Sequence, residues 1–148
     1  MAFTEELTQG LAIADVINRV NNDNTNTNSI GVDMSRFKRG LYIVINSGGT
    51  GTINGRLQAA ANANFNVLSN ITGSNLNATN TVNGVQTVEI RSDQLPANTR
   101  YVRLQLTGSA AAVNVSALGL FGESHYKPAS QFNLNASTVL GQVVTPTS

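Results

Sequence analysis

Between residues 30 and 128, apolar side chains recur mainly at every second position, the period of a strand whose two faces meet different surroundings. Residues 100–107 show it most clearly: Val102, Leu104 and Leu106 fall on one face, Tyr101, Arg103, Gln105 and Thr107 on the other. Residues 53–61 set Ile53, Gly55, Leu57, Ala59 and Ala61 against Asn54, Arg56 and Gln58. Residues 113–121 place Val113, Val115, Ala117 and Phe121 on one side, with Asn114, Ser116, Leu118 and Leu120 opposite. Residues 41–45 differ, being a continuous aliphatic and aromatic run that reads as an interior strand covered on both faces. Asn83-Gly84, between Thr81-Val82 and residues 85–90, is the strongest hairpin signal, because both residues accept positive φ. Residues 92–98, with Pro96 unable to donate to a ladder, read as a turn region. Five to eight strands at this spacing predict an all-β fold, an antiparallel β-sandwich or jelly-roll-like domain.

The pattern fades at both ends. Over residues 3–20, Phe3, Leu7, Leu11 and Ala14 lie near one helical face, but Gly10 interrupts and Leu11 and Ile13 begin a period of two, so helix and edge strand both fit. Residues 21–29 are rich in Asn and offer nothing apolar to bury, which predicts a loop or connector. Residues 131–148 carry one apolar cluster, Val139-Leu140 and Val143-Val144, which suits a segment lying on a neighbour and a frayed end or closing edge strand equally. The expected organisation is an N-terminal arm over 1–28, a β-sandwich over 29–128 and a C-terminal arm over 129–148. The sandwich is expected to fold without either arm.

Composition narrows the chemistry. Twenty of the 148 residues are Asn, nine are basic and eight acidic, and there is one His with no Cys and no Trp. A net charge of +1 creates no long-range field to steer nucleic acid or anionic lipid, and Arg36, Lys38 and Arg39 are the only dense basic group. Without Cys there are no disulfides, thiolate nucleophiles or usual structural zinc sites, which fits a reducing cytoplasm. The acidic start of the chain does not resemble a signal peptide, and no stretch nears the roughly 20 apolar residues of a membrane span. A soluble protein made inside a cell, with no membrane or nucleic-acid partner, is expected.

The candidate chemical motifs are weak. Gly48-Gly49-Thr50-Gly51 lacks the Lys-Ser/Thr pair and helix of a phosphate loop, so a hairpin loop is expected there. His125 beside Glu123 and Ser124 cannot make a hydrolytic trio, since neighbours on an extended chain point to opposite faces. Asp15, Asp23, Asp33, Glu89 and Asp93 show no calcium-loop spacing. The four Asn-x-Ser/Thr triplets, at Asn70, Asn77, Asn114 and Asn135, are about as many as chance yields in so Asn-rich a chain. No catalytic residue, metal or cofactor is expected. Tyr101 with Arg100 and Arg103 is an exposed patch that suits a subunit contact, a glycan platform or a solvated face.

Residues 30–45 form an Asp-Met-Ser-aromatic-basic turn feeding an apolar strand. Together with Leu57-Gln58-Ala59-Ala60, the Tyr101-Val102-Arg103 strand ending in Thr107-Gly108, and residues 117–128, this layout resembles small decoration, or cement, proteins of tailed-phage heads. The resemblance covers about residues 29–128 and lies in strand order rather than in a chemical signature. It implies a non-enzymatic virion protein on the capsid exterior that contacts the major capsid protein and stabilises the head. A homo-oligomer, most often a trimer, with arms reaching over capsid subunits is implied too. Phe3, Leu7, Leu11 and Ile13 in one arm, Val139, Leu140, Val143 and Val144 in the other, and Tyr101 and Arg103 on the sandwich are the interface residues expected. The alternative is a head-fibre or tail-associated module that binds host glycan.

Overall fold

The computed structural model describes residues 10–22 and 24–125, together with Phe132 and Leu134. The strands are β1 (Leu11–Asn22), β2 (Asn26–Asn28), β3 (Val32–Asp33), β4 (Phe37–Gly49), β5 (Ile53–Ala60), β6 (Ser69–Asn70), β7 (Leu76–Thr79), β8 (Val85–Arg91), β9 (Tyr101–Gly108) and β10 (Val113–Ser124), with a short 3-10 turn at Ser92–Gln94. Sheet A runs β1-β10-β4-β8. Sheet B runs β2-β9-β5-β6, with β3 also on β9 and β7 also on β5. All pairs are antiparallel.

Because β2 and β3 share one flank of β9, and β6 and β7 one flank of β5, the strands among the described residues occupy eight lanes. Numbered along the chain, these lanes run 1-8-3-6 in sheet A and 2-7-4-5 in sheet B. That order is a jelly roll, two interlocked Greek keys closed into a sandwich. Between successive lanes, every connection except β5 to β6 passes from one sheet to the other. Two sequence expectations are corrected by this. Gly48-Gly49-Thr50-Gly51 and Asn83-Gly84 both turn tightly, Asn83 at a φ of 63°, but each links strands of different sheets and neither closes a hairpin. Local φ preference specifies a turn; it does not specify which strand receives the chain.

The alternation read from the sequence is the core. Val102, Leu104 and Leu106 of β9, Ile53 and Leu57 of β5, and Val113, Val115 and Phe121 of β10 are fully or almost fully buried between the sheets. Phe121 packs at 5.6 Å against Phe37 and edge-on at 5.5 Å against Tyr42. Two glycines make room for these rings. A Cβ at Gly40 would overlap the Phe121 ring, and one at Gly119 would lie 2.9 Å from the Tyr42 ring and 3.0 Å from the Asp15 Cβ.

The arm expected over 1–28 is corrected from Leu11 onward. β1 pairs with β10 from Leu11↔Gly122 to Asn22↔Val113, and β2 pairs with β9, so both belong to the sandwich. Ala12, Ala14 and Ile17 of β1 are core residues. The register shifts between Ile13 and Asp15 and again between Ile17 and Val20, and these bulges break the period-two signal that would have announced a strand. Deleting residues 1–28 should therefore abolish cooperative unfolding in urea, in contrast to an arm deletion that leaves it intact. Gly119→Ala should lower stability by about 1–3 kcal/mol through overpacking, read from the shift in urea midpoint.

Candidate functional site

The buried ionisable chemistry lies inside the core. At its first bulge, β1 turns the fully buried Asp15 inward. The Asp15 Oδ2 accepts from Ser29 Oγ (2.6 Å), from Tyr42 Oη (2.6 Å) and from Gly31 N (3.2 Å), and Oδ1 accepts from Val16 N (3.0 Å). Ser29 in turn accepts at Oγ from Leu104 N (2.9 Å) and donates its own N–H to Leu104 O (2.9 Å). The chain of bonds therefore runs from β4 in sheet A to β9 in sheet B. Burial pushes the Asp15 pKa up, and the hydrogen bonds from Ser29, Tyr42, Gly31 and Val16 offset that only in part. Burial, followed by the nearby Asp15 charge, holds the Tyr42 hydroxyl well above its ordinary range. Being enclosed, this cluster is structural and presents nothing to a substrate.

Elsewhere Asp33, Glu123 and Asp93 each pair with an arginine near the surface. Asp33 accepts both Nε and a terminal nitrogen of Arg100, a two-pronged pair, and also Ser35 N (3.0 Å). Burial raises the Asp33 pKa, but the bonds from Arg100 and Ser35 and the guanidinium charge outweigh it and hold the group at about 2. Glu123 pairs with Arg39 at 3.2 Å, Ser124 is buried, and His125 is exposed, so these three neighbours do not converge. No group of three or more His, Cys, Asp or Glu among the described residues can hold a metal. The N–H groups of Thr50 and Gly51 both go to Ala112 O, so the glycine-rich turn is tied to the protein's own 109–112 loop.

The outer faces of the two sheets differ in chemistry. Across sheet B runs a ladder of amides. Gln105 donates to Asn28 Oδ1 (3.2 Å) and accepts from Arg56 Nε (3.3 Å) and Gln58 Nε2 (3.5 Å); Gln58 donates to Asn70 Oδ1 (3.2 Å) and accepts twice from Arg103 (3.0 and 3.1 Å). Although they point outward, Gln58 and Gln105 are only 4% and 7% exposed. The Arg103 guanidinium lies 4.7 Å over the Phe65 ring, and Phe65 itself takes a left-handed φ of 52°, uncommon for a bulky residue. Beside the ladder, Asn54, Arg56, Asn75, Leu76 and Thr107 line an open groove of about 410 Å³. On sheet A, Ile13 and Val16 of β1, Leu118 and Leu120 of β10, and Leu41 and Ile43 of β4 lie side by side in register on the outer face. All six are partly exposed.

The interface residues expected from sequence are thus divided. Leu11 and Ile13 belong to the apolar outer face of sheet A, and Tyr101 and Arg103 to the polar outer face of sheet B. Phe3, Leu7, Val139, Leu140, Val143 and Val144 lie outside the described residues. The amide ladder and Phe65 were missed. A signal existed for the ladder, since Gln58 and Gln105 stand at outward positions of strands whose alternation was clear, but pairing across strands is invisible without the register.

No protein-family model matches the chain, and no curated protein matches it. Among solved structures the chain is similar to one described as "Bacillus endospore appendages form a novel family of disulfide-linked pili", with a TM-score of 0.44 and 11% identity, over 84% of this chain and 96% of that one.

Two measurements test the electrostatics. Tyr42→Phe removes one donor from a buried carboxylate and should cost about 1–3 kcal/mol, seen as a lower urea midpoint at neutral pH. Because the Asp33 pKa is depressed, its stabilisation is present above the unfolded value near 4 and is lost as pH falls through about 2. Asp15 has the opposite sign, its raised pKa favouring the fold as pH drops. Asp33→Asn should therefore remove the acid-side loss of stability between about pH 4 and pH 2, and a wild-type curve that stays flat there would contradict the pairing.

Proposed function

We propose that this protein is a non-enzymatic structural component of a tailed-phage head, a decoration protein that docks on the capsid exterior, contacts the major capsid protein and stabilises the shell. The observation that supports this reading best is the outer face of sheet B. Its amides are already hydrogen-bonded to one another and held in place, so little side-chain entropy is lost when a partner arrives. Neutral donors and acceptors are stripped of water at lower cost than charges. Tyr101 and Arg103, the latter stacked on the buried Phe65 ring, supply at one end of that face the aromatic and Arg anchors that dominate interfaces. Repetition over a symmetric shell then converts modest single contacts into tight binding, and a homo-oligomer, with a trimer favoured, multiplies them further.

Jelly rolls carry both capsid and lectin functions, so fold alone does not choose between a cement protein and a glycan-binding module. The second reading has its own support in the groove lined by Asn54, Arg56, Asn75 and Thr107, polar side chains suited to sugar hydroxyls. Co-sedimentation with undecorated heads separates the two. Under the cement reading the protein pellets at saturating, lattice-like stoichiometry, and Tyr101→Ala and Arg103→Ala each weaken binding by roughly 10- to 100-fold. No pelleting, combined with a glycan-array signal that Arg56→Ala abolishes, would replace it with the recognition module.

A further inference from the structure

Among the described residues, no element packs over the apolar outer face of sheet A formed by Leu41, Ile43, Leu118 and Leu120, although its sequence predicts a cover. Leu41 to Ile45 is apolar on both phases, as are Leu118 and Leu120 within β10, and strands of that kind occur where both faces are buried. Their inner phase, Tyr42, Val44, Ala117 and Phe121, lies in the core. Their outer phase stays partly exposed, and Ile45 and Val85 at the end of the same face are 41% and 60% exposed. The block spans three lanes and two to three side-chain rows, on the order of 200–300 Å² from strand and residue spacings. A stable contact between two globular surfaces buries roughly 800 Å² per partner, so the patch is too small for a second copy and suits one extended segment.

The chain itself carries such a segment to the margin of this face. Leu134 N donates to Ile13 O at 2.9 Å, which sets residue 134 against β1, beside the Ile13–Leu120–Leu41 row. Phe132, two residues earlier, is anchored edge-on against Phe37 at 5.6 Å. The fourteen residues 135–148 carry no charged side chain and hold Val139, Leu140, Val143 and Val144 inside one six-residue stretch. Fourteen residues reach roughly 46–50 Å when extended, and the four lanes of sheet A are only about 15 Å across. We propose that the outer face of sheet A is the seat of residues 135–148 of the same chain, whose valines and leucine cover Leu41, Ile43, Leu118 and Leu120.

Since the chain has no Cys, a single introduced pair reports this directly. In the full-length protein, Ile43→Cys combined with Leu140→Cys should form an intramolecular disulfide under mild oxidant, at least about tenfold faster than Asn54→Cys with Leu140→Cys, whose first thiol lies on the opposite sheet. Equal rates for the two pairs, or a link found only between two copies, would overturn the assignment. Hydrogen exchange provides a readout without thiols: amides 139–144 should be protected in the wild type and exchange about tenfold faster in Ile43→Asp. Unprotected amides in the wild type would likewise refute it. Neither result depends on head binding, so this seat and the cement reading stand or fall separately.

Discussion

A carboxylate with no cation beside it sits at the centre of this sandwich, and the arrangement of both sheets follows from how it is satisfied. Asp15 is buried and raised in pKa, yet four donors converge on it from three segments of chain. Taking a charge out of water costs several kcal/mol unless dipoles replace the lost hydration. Here Tyr42 supplies one of them by reaching from β4 across β10, which is possible only because the residue between them in register is Gly119. Ser29 supplies another while gripping Leu104 of sheet B with both its hydroxyl and its backbone. Dispersion and area burial tolerate slippage of one sheet over the other; a fully subscribed polar network does not. The bulge in β1, the glycine in β10 and the hydroxyl in β4 form one device that fixes the stacking.

This device also explains where sequence reasoning succeeded and where it failed. β5 and β9 were legible because their apolar inner residues alternate with polar outer ones, and β10 because Val113, Val115, Ala117 and Phe121 keep the inner phase. β1 was not, since its inner face carries an Asp and its bulges shift the phase twice, so both period and polarity argued against a core strand. Asn83-Gly84 announced a turn correctly and a hairpin wrongly, because in a jelly roll the next strand usually lies in the other sheet. The contacts that matter for the outer faces, Gln58 with Gln105 and Arg103 with Phe65, join residues far apart in sequence. No local pattern encodes them.

Alternation gives each sheet an outer face, and the residues chosen for it are unlike. β9 presents Tyr, Arg, Gln and Thr, with amide partners on both flanks; β10 presents Leu118 and Leu120 between the aliphatic side chains of β1 and β4. A sandwich with one hydrogen-bonded face and one apolar face has a built-in orientation toward any large partner. If the apolar face is occupied by the chain's own C-terminal segment, the amide face is the one left for assembly, which is where Tyr101 and Arg103 stand.

Charge reinforces that conclusion by its scarcity. Asp33 is held by Arg100, Glu123 by Arg39 and Asp93 by Arg91, so six of the chain's 17 acids and bases are neutralised in short-range pairs. Association of such a surface is not steered, and unsteered protein pairs meet at roughly 10⁵–10⁶ M⁻¹s⁻¹. Such a molecule gains little from a fast encounter. If it docks on a shell as proposed, its affinity has to come from slow release, which many shallow, pre-organised contacts repeated by symmetry supply better than one strong pocket does. An abundance of Asn and an amide ladder held by its own hydrogen bonds suit that proposed mode of binding.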